Sequence, residues 1–340
     1  MKLLVTGGCG FIGANFIRYY VKKHRSCAIL NVDKLTYAGN LQNLEGMEER
    51  KNYRFVRADI TNAAQMRQAF RRFRPDAVVN FAAESFVDRS IAAPAAFLKT
   101  NFLGVGVLLN CALEYGATRF LQVSTDEVYG SILKGKFHER SVIDPSSPYS
   151  ASKAAADGLV MAFHRTYGLP VLITRSSNNY GPYQFPEKLI PLIISNALNH
   201  QKIPVYGDGL HVRDWLYVGD NCRAIDLVLH KGRTGEIYNI GAQYERTNLY
   251  VVEKILRILN KPLGLIEHVK DRPGHDRRYA VSITKIKKQL GWQPSVSFEA
   301  GLSKTIDWYE HNRSWIENTR TGAYRSFYRK YYSGLGLKNF

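Results

Sequence analysis

The chain has 340 residues, 45% hydrophobic and 12% aromatic, which excludes a disordered chain and suffices for one large core or two unequal ones. Its formal net charge is +18, from 47 Lys and Arg against 29 Asp and Glu. The basic residues scatter over 22–25, 67–74, 285–288 and 313–338 with no nucleic-acid-recognition signature, so the charge reads as favouring small anionic ligands rather than nucleic acid.

In chain order, residues 2–6, 28–33, 53–58, 77–82 and 119–124 read as short buried strands. Helical periods fall between several of them, at 11–24, 63–73 and 95–115. Strand–helix alternation predicts an α/β fold with a doubly wound, Rossmann-like parallel sheet. After about Gly181 the elements shorten and Gly and Pro become frequent, which predicts a smaller mixed α/β lobe over 181–320 beside a first domain of 1–180, with segments returning to it. Residues 321–340, rich in Tyr and Arg, are left as a tail, either mobile or an interface.

Apolar runs such as 77–79 and 190–194 stop short of the roughly 20 residues a bilayer span needs, so no membrane segment is expected. The strand at residue 2 predicts that no signal peptide precedes it. Cys9, Cys27, Cys111 and Cys222 form no C-x-x-C pair and suggest reduced thiols in a cytoplasmic protein with no metal centre.

The run Val5-Thr6-Gly7-Gly8-Cys9-Gly10-Phe11-Ile12-Gly13 follows a strand and opens a helix. Small residues are needed where a chain turns tightly, brings backbone N–H groups to a pyrophosphate and packs the new helix on the sheet. Asp33 ends the next strand, twenty residues beyond Gly13, where a carboxylate accepts from ribose hydroxyls and repels a 2′-phosphate. That favours NAD over NADP, although Lys34 beside it softens the exclusion. Asp59, after the third strand, is a candidate neighbour of the adenine.

Tyr149 and Lys153 stand four apart, on one helical face, with Ser146 or Ser147 as cap and Pro148 in the first turn. An ammonium beside a phenol is expected to lower the phenol pKa, so that Tyr149 can take a hydroxyl proton as hydride leaves the same carbon. Ser124-Thr125-Asp126-Glu127-Val128-Tyr129-Gly130 lies just past the fifth strand, where open parallel sheets bind ligands. Hydride transfer alone does not require this pair. Eliminating water does, because one group must take a carbon-bound proton and another must protonate the departing hydroxyl.

With these runs, residues 32–40, Ala82-Ala83-Glu84-Ser85, Val87-Asp88-Arg89-Ser90, Thr100-Asn101, 175–191, Val205-Tyr206-Gly207-Asp208-Gly209, Val212-Arg213-Asp214-Trp215 and Arg272-Pro273-Gly274-His275-Asp276 resemble the dTDP-glucose 4,6-dehydratase family of extended short-chain dehydrogenase/reductases. The resemblance covers residues 1 to about 310, and Thr125-Asp126-Glu127 is its most discriminating part.

It implies a cycle in which Tyr149 takes the C4 hydroxyl proton as C4 is oxidised by NAD, with Lys153 and Thr125 orienting the sugar. Glu127 then removes the C5 proton, Asp126 protonates the leaving C6 hydroxyl, and hydride returns to C6. It further implies cofactor contacts from Gly7, Gly10, Phe11, Ile12, Gly13, Asp33, Lys34, Thr36, Gly39, Asp59, Ile60, Ala82, Ala83, Thr100, Tyr149, Lys153 and Asn178. For the sugar nucleotide it implies Ser85, Thr125, Asn179, Glu187, Lys188, Leu189, Pro204, Tyr206, Arg213, Asn248, Arg272 and His275. A homodimer through helices 95–115 and 150–167 is implied as well.

Three positions depart from the pattern. Asn80 and Phe86 stand where many members carry His, so apolar contact is expected beside the sugar at Phe86, and Ala242 replaces a common second Gly. Rival readings are a UDP-glucose 4,6-dehydratase, a sugar-nucleotide 4-epimerase of the same fold, and an NAD-binding regulator or nucleic-acid binder.

Overall fold

The structure, a computed structural model, describes residues 1–320 and 322–337. The first elements are β1 (Lys2–Thr6), α1 (Phe11–Lys23), β2 (Ala28–Asp33), β3 (Tyr53–Arg57), α2 (Ala63–Phe73) and β4 (Ala77–Asn80). Next come α3 (Val87–Ala92), α4 (Pro94–Leu98), α5 (Val105–Glu114), β5 (Arg119–Thr125), α6 (Pro148–Tyr167) and β6 (Val171–Ser176). The second half carries β7 (Asn178–Tyr180), α7 (Leu189–Leu198), β8 (Ile203–Tyr206), β9 (Val212–Tyr217), α8 (Val218–Lys231) and β10 (Glu236–Ile240). It continues with β11 (Glu245–Thr247), α9 (Asn248–Ile258), β12 (Ile266–Val269), α10 (Thr284–Leu290), α11 (Phe298–His311), α12 (Arg313–Thr319) and α13 (Gly322–Gly334).

Seven parallel strands form the main sheet in the order β10-β6-β5-β4-β1-β2-β3. The order reverses between β1 and β4, which opens a crevice at their carboxyl ends. Central strands such as β4 are wholly buried, because apolar helices cover both faces. Phe16 and Ile17 of α1, Ile225 of α8 and Ile286 of α10 pack on one face. Phe70 of α2, Leu108 of α5 and Val160 of α6 pack on the other.

The five strands legible in the first half are joined by β6 and by β10, which returns from beyond residue 235. Two strands end earlier than the sequence suggests, at Arg57 and Asn80. Asn80 sits inside the sheet, where it accepts from Thr6 Oγ1 at 2.5 Å and donates to Gln122 at 2.7 Å, a polar rung across three strands. The second lobe has its own core around Ile193, Trp215, Val252 and Phe298, with a three-stranded sheet β11-β9-β7 and the pair β12-β8.

Two expectations are corrected. Pro94–Glu114 is a 21-residue helical stretch with mean hydropathy 1.5, long and apolar enough by composition to cross a membrane, so the reading that no run approaches that length does not hold. Its α5 portion packs Leu108 and Leu109 against the sheet, as the core helix of an α/β domain does. A wide turn at Lys99–Gly104, with π-type hydrogen bonding, interrupts the regular helix. The region taken as a tail holds the helix α13, packed on the second lobe. Residues 321 and 338–340 of that region lie outside the described residues.

Candidate active site

The glycine loop is built by steric need. Gly7 has φ +68, and a Cβ there would stand 2.5 Å from the Ala82 nitrogen. A Cβ on Gly13 would run into the Gly7 carbonyl. Only hydrogen fits at either position, so the backbone can approach a ligand closely. Gly10 caps α1 without a side chain and the first turn carries no acid, which leaves the helix amides open to a pyrophosphate. Asp33 accepts from the amides of Cys9 (2.9 Å) and Leu35 (2.8 Å), which pins the loop beside a ribose-binding carboxylate with spare lone pairs. Lys34 pairs with Asp59 at 2.7 Å, so the neighbouring ammonium is already engaged. These features fit NAD.

One cavity is lined by Gly7, Gly10, Phe11, Ile12, Gly13, Asp33, Lys34, Thr36, Gly39, Asp59, Ile60, Ala82, Ala83, Thr100, Lys153 and Asn178. It continues without a break to Ser85, Thr125, Asp126, Glu127, Tyr149 and Asn179. Glu187 and Lys188 border both this cavity and an adjoining one. Leu189, Pro204, Tyr206, Arg213, Asn248, Arg272 and His275 line the second. The sequence-selected residues therefore gather along one continuous surface at the carboxyl ends of the strands.

Helix α6 is positioned at its start and at its middle. Ser147 and Ser150 form a reciprocal cap, and Pro148 occupies the first turn. Asp157 pairs with Arg175 of β6 at 2.9 Å, both nearly inaccessible, which ties the helix to the sheet. Lys153 donates to the Val123 carbonyl at 2.7 Å, and burial lowers its ammonium to about 8 against the opposing pull of Asp157. Burial, then Glu127, pushes the Tyr149 phenol far above its ordinary value, while a hydrogen bond with Thr125 pulls the other way. The lowered Tyr149 pKa expected from Lys153 is thus corrected for the chain alone: the ammonium is turned to a carbonyl, and desolvation dominates.

Thr125 accepts from the Glu127 amide at 3.2 Å and caps the short turn Asp126–Tyr129, so both acids project at the end of β5. Burial, then Glu127 and Asp214, drives the Asp126 carboxyl well above its usual range. Burial raises Glu127 too, but Arg272, Lys188 and Arg213 all counter it. Burial thus raises both carboxyls, but acidic neighbours add to the effect at Asp126 and basic neighbours oppose it at Glu127.

In the adjoining cavity, Lys188 donates to Ser85 O at 2.6 Å, and Glu187 accepts from Tyr37 (2.8 Å) and Arg89 (3.1 Å). Arg213 lies over the Tyr279 ring at 4.2 Å. His275 stacks on His211 at 3.6 Å and contacts Asp271 at 2.6 Å, and burial followed by Arg272 keeps its imidazole toward the neutral form. Buried polar atoms of residues lining the two cavities lack protein partners: Asp126 Oδ2, Asn178 Oδ1, Asn179 Oδ1, Asn248 Oδ1 and Arg272 Nη1. The orphaned oxygens suit a ligand that brings hydroxyl or N–H donors, and the orphaned Arg272 donor suits an anionic group.

Sequence reasoning passed over several members of this surface. Asp88 contacts Tyr206 (2.8 Å) and Arg272 (3.6 Å), and its place in a family-like run was the available signal. Asn101, brought inward by the wide turn, accepts from Glu84 N at 2.8 Å and donates to Ser152 at 2.9 Å, joining that loop to α6. Tyr279 and Tyr332 line the second cavity and carry no motif that would reveal them. Phe86 borders the second cavity as an apolar residue, with Lys188 Nζ 5.1 Å from its ring centre.

A family model described as GDP-mannose 4,6 dehydratase matches residues 4–305. The dTDP-glucose 4,6-dehydratase of Xanthomonas campestris pv. campestris (strain B100) is 52% identical over 341 residues, covering 95% of this chain and 97% of that protein. The structure of DesIV, the dTDP-glucose 4,6-dehydratase of Streptomyces venezuelae with NAD and TYD bound, superposes with a TM-score of 0.92 at 48% identity, covering 94% of this chain and 100% of that one. The UDP-glucose 4-epimerase of Thermotoga maritima is more distant, at 31% identity and a TM-score of 0.86 over 92% and 100% of the two chains. The chain belongs to the dTDP-glucose 4,6-dehydratase family.

Proposed function

We propose that this chain is an NAD-dependent hydro-lyase that converts dTDP-glucose to the 4-keto-6-deoxy sugar. The carrying observation is the pair Asp126 and Glu127 on the same cavity as Tyr149, Lys153 and the glycine loop, with acidic neighbours at the first and basic neighbours at the second. An epimerase has no need of that acid–base pair, which favours dehydration over the 4-epimerase reading.

Gly7, Gly10, Gly13 and Asp33 hold NAD, which when bound supplies the hydride acceptor for C4 and the donor for C6. Tyr149, hydrogen-bonded to Thr125, takes the C4 hydroxyl proton as a phenolate, the form that positive charge brought next to it would favour against burial. Lys153, fixed by the Val123 carbonyl, keeps a positive charge near the phenol and orients the sugar. The resulting 4-ketone acidifies C5–H. Glu127 takes that proton, and Asp126 gives its own to the C6 hydroxyl, which leaves as water. Glu127 returns a proton to C5 as C6 is reduced. Arg213 and Arg272 bind the diphosphate, Lys188 and Asn179 the sugar, and Tyr206, Asn248 and His275 the nucleoside.

Incubation with dTDP-glucose and, separately, UDP-glucose tests this reading, because the 4-keto product absorbs in alkali. Product from neither substrate would overturn it, and faster product from UDP-glucose would reassign the base.

The protein acts as a cytoplasmic homodimer in this reading. Its four cysteines are free, as in a reducing compartment. Leu98, Leu103 and Tyr167 are each more than half exposed on the α4–α5 and α6 side, an apolar face suited to the same helices of a second copy.

A further inference from the structure

Helices α1 and α8 pack side by side on one face of the main sheet. Both run against the strand direction, so both end at the amino edge of the sheet, opposite the crevice that holds the active-site cavities. Arg119, the first residue of β5, marks that corner by donating to Leu229 O, near the end of α8, at 2.8 Å. His24 caps α1, and His230 lies in the last turn of α8. Two helix carboxyl ends meet there, and their partial negative charge draws cations.

His24, Asp226 and His230 each bring one ligating atom within 4.8 Å of the others. Asp226 is buried, and its two oxygens have separate tasks. Oδ2 accepts from Lys23 at 2.6 Å and from the Tyr19 hydroxyl at 3.2 Å, which fixes the carboxylate. Oδ1 faces both imidazoles, 2.8 Å from His24 Nε2 and 3.4 Å from His230 Nε2. A tetrahedral Zn²⁺ with bonds of about 2.0–2.1 Å sets its ligand atoms about 3.3 Å apart, and these separations bracket that value. The two imidazoles stack at 4.8 Å and 26°, and the Tyr20 hydroxyl stands 3.1 Å from His230 Nε2. Side-chain exposures of 28% for His24 and 35% for His230 leave both rings room to adjust and one side open to water. The Lys23 ammonium opposes a cation, but it is half exposed and holds the other oxygen.

We propose that His24, Asp226 and His230 form a binding site for a first-row divalent cation, Zn²⁺ being the reference case, which clamps α1 to α8. Two imidazoles and one carboxylate suit such an ion better than Ca²⁺ or Mg²⁺, which take oxygen ligands. Water completes the shell on the open side. The expectation of no metal centre came from cysteine spacing, whereas His24 and Asp226 are 202 residues apart along the chain. The proposal is independent of the reaction, because the site lies at the other edge of the sheet.

The test uses the full, untagged chain loaded with NAD, stripped of metal by a chelator that is then dialysed away. Calorimetry with Zn²⁺ at about pH 7.5, where free imidazole is mostly neutral, should give a Kd below about 100 μM. His24→Ala and His230→Ala, both at partly exposed positions, should each weaken that Kd by about tenfold or more. His138→Ala, at an exposed histidine in the loop after β5, should leave it unaltered. Saturating Zn²⁺ should raise the Tm of the wild type by about 2–5 °C and should not raise that of His230→Ala. A weaker wild-type Kd overturns the proposal, and so does binding that persists at wild-type strength in both His24→Ala and His230→Ala, because the ion then sits elsewhere. Binding without a rise in Tm overturns the clamp.

Discussion

Asp126 and Glu127 are adjacent in sequence and unlike in surroundings: burial raises both carboxyls, but Glu127 and Asp214 add to it at Asp126, while Arg272, Lys188 and Arg213 oppose it at Glu127. Both acids line one cavity, and this difference in surroundings is what the proposed division of proton donor and proton acceptor rests on.

Removing the donor is the direct check. Asp126→Asn should cut turnover by about a hundredfold or more, with oxidised 4-keto sugar accumulating. Glu127→Gln should abolish exchange of the C5 proton with solvent deuterium. Wild-type rates in either variant would refute the assigned roles.

The buried ammonium of Lys153 has a pKa near 8, below its ordinary value. A lowered lysine is charged below that pKa and loses its charge as pH rises through it. With Lys153 charge needed beside the phenol, kcat should fall on the alkaline side of about pH 8. A pH–rate profile flat across that range would contradict a catalytic charge at Lys153, and Lys153→Met should lose the limb along with most activity.

Asp157 and Arg175 tie α6 to β6 in a site almost free of solvent. Asp157→Asn leaves a buried guanidinium without its counter-ion and should cost about 3–5 kcal/mol of stability. Chemical denaturation reads the loss. A change below about 1 kcal/mol would mean the pair does not anchor the helix.

Gly7 combines a left-handed backbone with contact to the Ala82 backbone. Gly7→Ala should cost about 1–3 kcal/mol in strain and expel bound NAD, visible as lost cofactor in the purified protein. Full NAD content in that variant would show that the loop has room the geometry denies.

The apolar side carrying Leu98 and Leu103 should be covered in a dimer. Sedimentation should give twice the chain mass for wild type and a shift toward monomer for Leu103→Glu. A wild-type monomer would contradict the proposed assembly.

The sequence determined what is encoded locally. The strand–glycine-loop–helix run, Asp33, the Tyr149–Lys153 spacing and the Asp126–Glu127 pair each depend on a few neighbouring residues, so turn sterics and helical period expose them. Only the tertiary structure decided which charges face which. The Asp126 and Glu127 environments draw on Arg213, Asp214 and Arg272, 86 to 145 residues away along the chain. The turn of Lys153 toward Val123 and the upward push on Tyr149 reflect desolvation, which a linear sequence does not display. The last helix is the clearest case. Its Tyr and Arg composition fits a loose tail as well as a wall, and Tyr332 reaches the cavity only because the second lobe offers Tyr206, Pro186 and Asn196 to receive the helix.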